Sequence, residues 1–217
     1  TFCNCTSLSS INFSNFDTST LVVMNYTFFG CSSLTTIDLS SFNTSSANNI
    51  CYLFYNCSSL VSIDLDHFDT SKVTDIRFMF AYCSKLEDVK INNFNTTLVT
   101  RLSDMFSGCK LLKSINLGSF DTSNVNYIGH TFQTCSSLES IDLSNFDTSK
   151  VTDLNYLFAS CTSLTSVNLR SFNTSSVEKM DFVAIEEEQT RCQGTMLAWW
   201  SSSETMTSSP GVRYCLP

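Results

Sequence analysis

Residues 135–160 read CSSLESIDLSNFDTSKVTDLNYLFAS, and a shift of 26 positions in either direction meets the same stretch again. Cys5, Cys31, Cys57, Cys83, Cys109, Cys135 and Cys161 stand 26 residues apart. So do Phe16, Phe42, Phe68, Phe94, Phe120, Phe146 and Phe172, and so do Thr18, Thr44, Thr70, Thr96, Thr122, Thr148 and Thr174. A fixed period of roughly 20 to 50 residues marks stacked coils, each burying its apolar face on its neighbours. The chain serves as its own alignment. It predicts one elongated body of about seven coils over residues 1–180 and a C-terminal cap or tail over 181–217.

Within a copy, the first half carries L-x-x-I-x-L, as in Leu34 to Leu39, Leu60 to Leu65 and Leu138 to Leu143. Its I-x-L alternation has the two-residue period of a strand, and L-x-x-I-x-L is the core of the leucine-rich repeat signature. The second half changes period. Val73, Ile76, Met79 and Phe80, and likewise Val151, Leu154, Leu157 and Phe158, fall on a helical stripe of about two turns. The threonine just before it reads as the N-cap. The expected architecture is an α/β leucine-rich-repeat solenoid, a right-handed coil with one short parallel strand and one short helix or 3₁₀ turn per repeat. The repeated Phe is expected to turn inward at the corner.

The chain has 11 cysteines, yet seven belong to the 26-residue column, which reads as small buried apolar residues stacked on one another. No CxxC occurs, and no zinc site is expected. Cys192 and Cys215 in the tail are a possible disulfide pair in an oxidising compartment. Phe182 to Ile185, Glu186 to Glu188, Trp199 and Trp200 break the repeat pattern; a cap over the last coil is the favoured reading, with a linker or part of another module as alternatives. Phe2 matches the closing Phe of a repeat, so the sequence enters in mid-coil. Further repeats before it, or a molecule covering that end, are the expectation.

A net charge of −8 and a pI near 4.6 lack the basic footprint of a nucleic-acid partner and disfavour anionic lipid. No apolar run approaches the ~20 residues that span a bilayer, so direct membrane insertion is not expected. His67 and His130 occupy different repeat positions with no nucleophile beside either, and no glycine-rich phosphate loop is present, so no catalytic residues are assigned.

The consensus C-S-S-L-x-S-I-D-L-S-x-F-D-T-S-x-V-T-D-x-x-x-x-F, carried from residue 2 to about 180, resembles the repeats of the BspA-like leucine-rich surface proteins, including the mycoplasma-lipoprotein type. The resemblance implies a secreted or cell-surface protein of bacteria or protists, used in adhesion to host proteins and neighbouring cells. It supplies no catalytic residue and no cofactor. The partner it implies is a protein or a glycan on a host or neighbouring cell. Self-association through the coil ends, giving filaments or a surface layer, is the alternative.

Under that reading the outward strand positions form a concave polar face. Its candidate ligand-binding residues are Asp38, Asp64, Asp66, Asp88, Lys90, Asn92, Asn116, Asp142, Asn168 and Arg170, with the charged run Asp64 to Asn92 foremost. The plain alternative is that a solvated parallel sheet needs polar residues there. Asp38, Asp64, Asp66 and Asp88 are of the type that binds calcium, but no EF-hand or RTX loop accompanies them, and no metal is assigned. The threonine column admits an ice-binding reading, against which its capping role stands. Asn-x-Ser/Thr triplets at Asn43, Asn95 and Asn173 sit where Asp69 and Asp147 sit in other copies. An Asx turn explains them without a glycan.

Overall fold

A computed structural model describes residues 2–181 and 183. Successive copies lie side by side and share one core. In a single coil Leu60, Ile63, Leu65, Phe68, Val73, Ile76, Met79, Phe80 and Cys83 are all buried. Through its middle runs a spine of stacked rings, Phe2, Phe28, Phe54, Phe80, Phe106, Phe132 and Phe158. Successive centroids are 5.4–5.9 Å apart and the planes within 9° of parallel. Each ring contributes burial and a ring–ring contact of about 1 kcal/mol.

The L-x-x-I-x-L segment forms strands where expected, in two parallel pairs. β1 (Ser62–Asp64) pairs with β2 (Asp88–Lys90), and β3 (Ser140–Asp142) pairs with β4 (Ser166–Asn168). The central apolar residues of these four, Ile63, Val89, Ile141 and Val167, are buried. Ile11, Ile37 and Ile115, at the same position in the remaining copies, are only partly buried, and those copies carry no strand. The register is direct, so like positions face one another: Ser62 opposite Asp88, Asp64 opposite Lys90.

The second half of the repeat departs from expectation, because no helix occurs among the described residues. In its place a ladder of single parallel bridges runs through every coil: Val23, Asn49, Asp75, Arg101, Tyr127, Asp153 and Lys179. Beyond it the amides alternate in their use. Met24, Tyr26, Phe28 and Gly30 donate to the carbonyls of Asn49, Cys51, Leu53 and Tyr55 in the next coil. Thr27, Phe29 and Cys31 instead donate three residues back within their own coil. The alternation rests on left-handed backbone at fixed positions. One column is Tyr26, Tyr52, Phe78, Asp104, His130 and Tyr156, with φ of 55–62°. The other includes Gly30, Asn56, Tyr82, Gly108, Thr134 and Ser160. A helix cannot pass through such residues. The 0-3-6-7 spacing is real, but turns closed by bonds three residues back produce it as well as a helix does.

Thr18, Thr44, Thr70, Thr96, Thr122 and Thr148 are buried and cap no helix. Each hydroxyl donates to the carbonyl 25 residues on, at 2.8–3.2 Å. The amides of Asn43, Asn95, Asp121 and Asn173 donate back to the same oxygens of Thr18, Thr70, Thr96 and Thr148 at 2.6–2.8 Å. The column is therefore a line of clips between coils. Buried hydroxyls present no surface to water, which removes the ice-binding reading.

The cysteine column is buried as expected from Cys31 to Cys161, whereas Cys5 is exposed. Each buried thiol donates to the carbonyl of the spine Phe in the preceding coil, at 2.9–3.2 Å. The corner Phe is buried at 42, 68, 94, 120 and 146, but Phe16 is 54% exposed. In its coil Phe13 holds the core position and meets Phe42 edge-on at 4.9 Å.

Candidate functional site

Two surfaces carry candidate recognition side chains. The first is the strand face. Six members of its middle column, Asn12, Asp38, Asp64, Asn116, Asp142 and Asn168, each accept the amide two residues on, at 2.9–3.3 Å. These are Asx turns that end the extended segment. The structural role thus accounts for Asp38, Asp142, Asn116 and Asn168, and Arg170 lies exposed at the last such turn.

The charged run is brought together. Lys90 Nζ donates to Asp64 Oδ2 across the β1–β2 register at 3.1 Å. Asp66 takes the amide of Asn92 at 2.6 Å and its side-chain nitrogen at 2.9 Å; Asn116 in turn donates to Asn92 at 2.8 Å. Asp88 is exposed beside them. The backbone bond from Asp66, then Lys90, holds the Asp64 carboxyl below the usual range. An exposed pair of this kind is largely screened by solvent and adds little to stability. The network is closed on itself, and among the described residues no group of three or more His, Cys, Asp or Glu is arranged to hold a metal ion.

The second surface lies beside the bridge ladder, and sequence reasoning missed it. Tyr26, Phe29, Tyr52, Tyr55, Phe78 and Tyr82 form one connected sheet of rings. Tyr26 stacks on Tyr52 at 4.7 Å, Tyr52 on Phe78 at 4.5 Å, and Phe29 on Tyr55 at 4.7 Å; Tyr82 closes edge-on to Tyr55 at 5.3 Å. Tyr26 and Tyr82 are 39% and 49% exposed, the rest half-buried. The hydroxyls of these four tyrosines have no hydrogen-bond partner among the described residues. Burial raises the phenols of Tyr52 and Tyr55. The signal was present, since rings recur at positions 26, 52 and 78, but the helical reading gave that column no face of its own.

Tyr82 leans over the next rung, where Gly108 (φ 75°) carries no side chain; a Cβ there would meet the Tyr82 ring at 2.9 Å. Arg77, which acts electrostatically on Tyr52, gives its guanidinium to the Asp75 carboxylate at 2.9 and 2.7 Å. His67 and His130 remain apart in role: His67 Nε2 meets the Leu39 carbonyl at 2.8 Å, and His130 stacks on Tyr156 at 4.9 Å. Cys192 and Cys215 lie outside the described residues.

A family model described as "Mycoplasma protein of unknown function, DUF285" matches residues 1–90, 54–141 and 83–199. No curated protein matches the chain. Among solved structures, a leucine-rich repeat protein of T. pallidum is 24% identical, with 76% of this chain and 66% of that one covered and a TM-score of 0.49. A leucine-rich cell surface protein of Faecalibacterium prausnitzii is 18% identical, covering 77% and 61%, with a TM-score of 0.32. A leucine-rich repeat protein of Bacteroides ovatus is 19% identical, covering 86% and 68%, with a TM-score of 0.23. The chain thus spans 66% and 61% of the length of the first two, less than two thirds of each.

Proposed function

We propose that this chain, which belongs to the DUF285 family of mycoplasma proteins of unknown function, is a surface-displayed leucine-rich-repeat module that adheres to a protein partner on another cell. The observation that carries this reading is the connected sheet of six rings from Tyr26 to Tyr82, with Tyr26 and Tyr82 exposed at its edges. Tyrosine is enriched at protein interfaces, where a rigid ring buries area at little entropic cost and the hydroxyl finds a partner. Stacking along the column occupies most ring faces, so edges and hydroxyls meet solvent. That favours a protein over a sugar, whose docking wants an open ring face.

The strand face supports a second reading, in which Asp64, Asp88 and Lys90 provide a charged recognition strip. One experiment weighs the two. The intact chain is used to capture proteins from a surface extract of host cells, alongside a Tyr26→Ser/Tyr82→Ser variant and an Asp88→Lys/Lys90→Glu variant, with circular dichroism as the folding control. Loss of capture in the tyrosine variant supports the ring sheet. Loss in the charge variant moves the site to the strand face. Undiminished capture by both overturns the proposal.

A further inference from the structure

The column at positions 52, 78, 104, 130 and 156 carries a flat ring on every rung except one. Phe78 stacks on Tyr52 at 4.5 Å and His130 on Tyr156 at 4.9 Å. Between them stands Asp104, in the same left-handed backbone as its neighbours, with φ of 59°. Phe78 and His130 each commit one ring face to a stack and turn the other towards the carboxylate rung. Rungs of a ladder are ~4.8 Å apart, which sets the two rings roughly 9.6 Å from each other. A ring on that rung would stack at the 4.5 and 4.9 Å found for its neighbours, and a flat group of the same thickness takes the same place. The Asp104 side chain is shorter than a ring, so beyond the carboxylate the stack lacks one ring's thickness, over a negative floor.

Asp104 forms no ion pair within 4.0 Å among the described residues. Arg77, which acts on it electrostatically, is committed to Asp75 by two bonds of 2.9 and 2.7 Å. Gln133 holds His130 Nδ1 at 2.9 Å, which fixes the ring plane. Burial pushes the Asp104 carboxyl up, while His130, Ser103 and Arg77 draw it down.

We propose that this gap receives a planar cation, the guanidinium of an arginine presented by the partner protein, sandwiched between Phe78 and His130 and paired with Asp104. Guanidinium is flat and stacks on ring faces, whereas the ammonium of lysine is a compact, strongly hydrated point charge. The proposal rests on the reading of the ring sheet as the docking face, whose end this gap forms.

The test titrates the intact chain at neutral pH with N-acetyl-arginine amide and, separately, N-acetyl-lysine amide, following the ring proton resonances of His130 and Phe78. Saturable shifts with the arginine amide are expected, with binding on the order of tenfold weaker for the lysine amide and for Asp104→Asn. Asp104→Tyr restores a ring on that rung, as on its neighbours, and is expected to fold and to abolish the shifts. No saturable shift in the native chain, or equal shifts in Asp104→Tyr, overturns the proposal. Arginine binding that persists while the tyrosine variant captures partner normally leaves the gap in place and removes the docking face. The converse pattern removes the gap alone.

Discussion

Thr96 shows what one hydroxyl does in this fold. It is 1% exposed, donates to the Asp121 carbonyl at 2.8 Å and accepts the Asp121 amide at 2.8 Å. One oxygen thereby satisfies two backbone groups of the neighbouring coil that water cannot reach. Valine has the same shape and neither bond. Thr96→Val is therefore expected to lower unfolding stability by about 1–3 kcal/mol, since it leaves a buried donor and acceptor unpaired. Thr96→Ser keeps the oxygen and gives up only a methyl, a loss of about 1 kcal/mol. Urea titration of the two variants checks the order. A valine variant as stable as the serine variant would show that the clip contributes nothing. The period-26 threonine was plain in the sequence, but its partner was not. The groups it bonds are backbone atoms one coil away, which no side-chain pattern records.

At the scale of the element, the strand half was legible and the other half was not. Alternation at Ile63 and Leu65 has one physical reading, a pleated segment with one face inward. Spacing by three at Ile76 and Met79 has two, a helix or a turn closed three residues back. The residues that decide between them are Tyr52, Phe78 and Tyr156, whose left-handed backbone is far from their intrinsic preference. A packed neighbour imposes it, so propensity gives no warning. The candidate site divides in the same way. Asp64 and Lys90 were foreseen as neighbours because the strands pair in direct register. The ring sheet was hidden by the helical reading, although Asp104 interrupts a visible column of rings. The cysteine column is buried thiol from Cys31 to Cys161, as its spacing predicts, with Cys5 the exception, and it yields an expectation for the element as a whole. Burial pushes Cys57 up to about 12, and Cys83, Cys109 and Cys135 well above the ordinary thiol value. Thiolate, not thiol, attacks iodoacetamide and displaces iodide. In the native chain at pH 8, Cys3 and Cys5, both exposed, are expected to be alkylated while Cys57 to Cys135 stay unmodified until denaturant is added. Mass mapping of labelled peptides reads this directly. Rapid native labelling of Cys83 or Cys109 would mean that the coils do not pack as described.

For the whole molecule, the coils share a titrating device that is copied with the repeat. Asp69, Asp121 and Asp147 each accept the hydroxyl and amide of the serine two residues on, and those bonds hold their carboxyls below the usual range. In other copies Asn43, Asn95 and Asn173 make the same amide bond without a charge. An acid whose pKa is depressed on folding contributes stability above its unfolded value of about 3.9, and the contribution is lost as pH falls through the folded value. The melting temperature should therefore drop as pH falls below about 4. Other terms act over the same range. Protonation relieves the repulsion of a chain carrying −8, and Asp104, raised by burial, folds more readily when neutral. A variant comparison isolates the turns from these. Asp69→Asn/Asp121→Asn/Asp147→Asn converts three copies to the form three others already use. Its melting temperature is expected to match the parent near pH 7 and to fall less steeply between about pH 5 and pH 3. Parallel slopes in the two proteins would show that the turn carboxylates bind protons equally in the folded and unfolded chain. Acid sensitivity would then lie elsewhere, with Asp75 and its paired Arg77 as the next groups to neutralise.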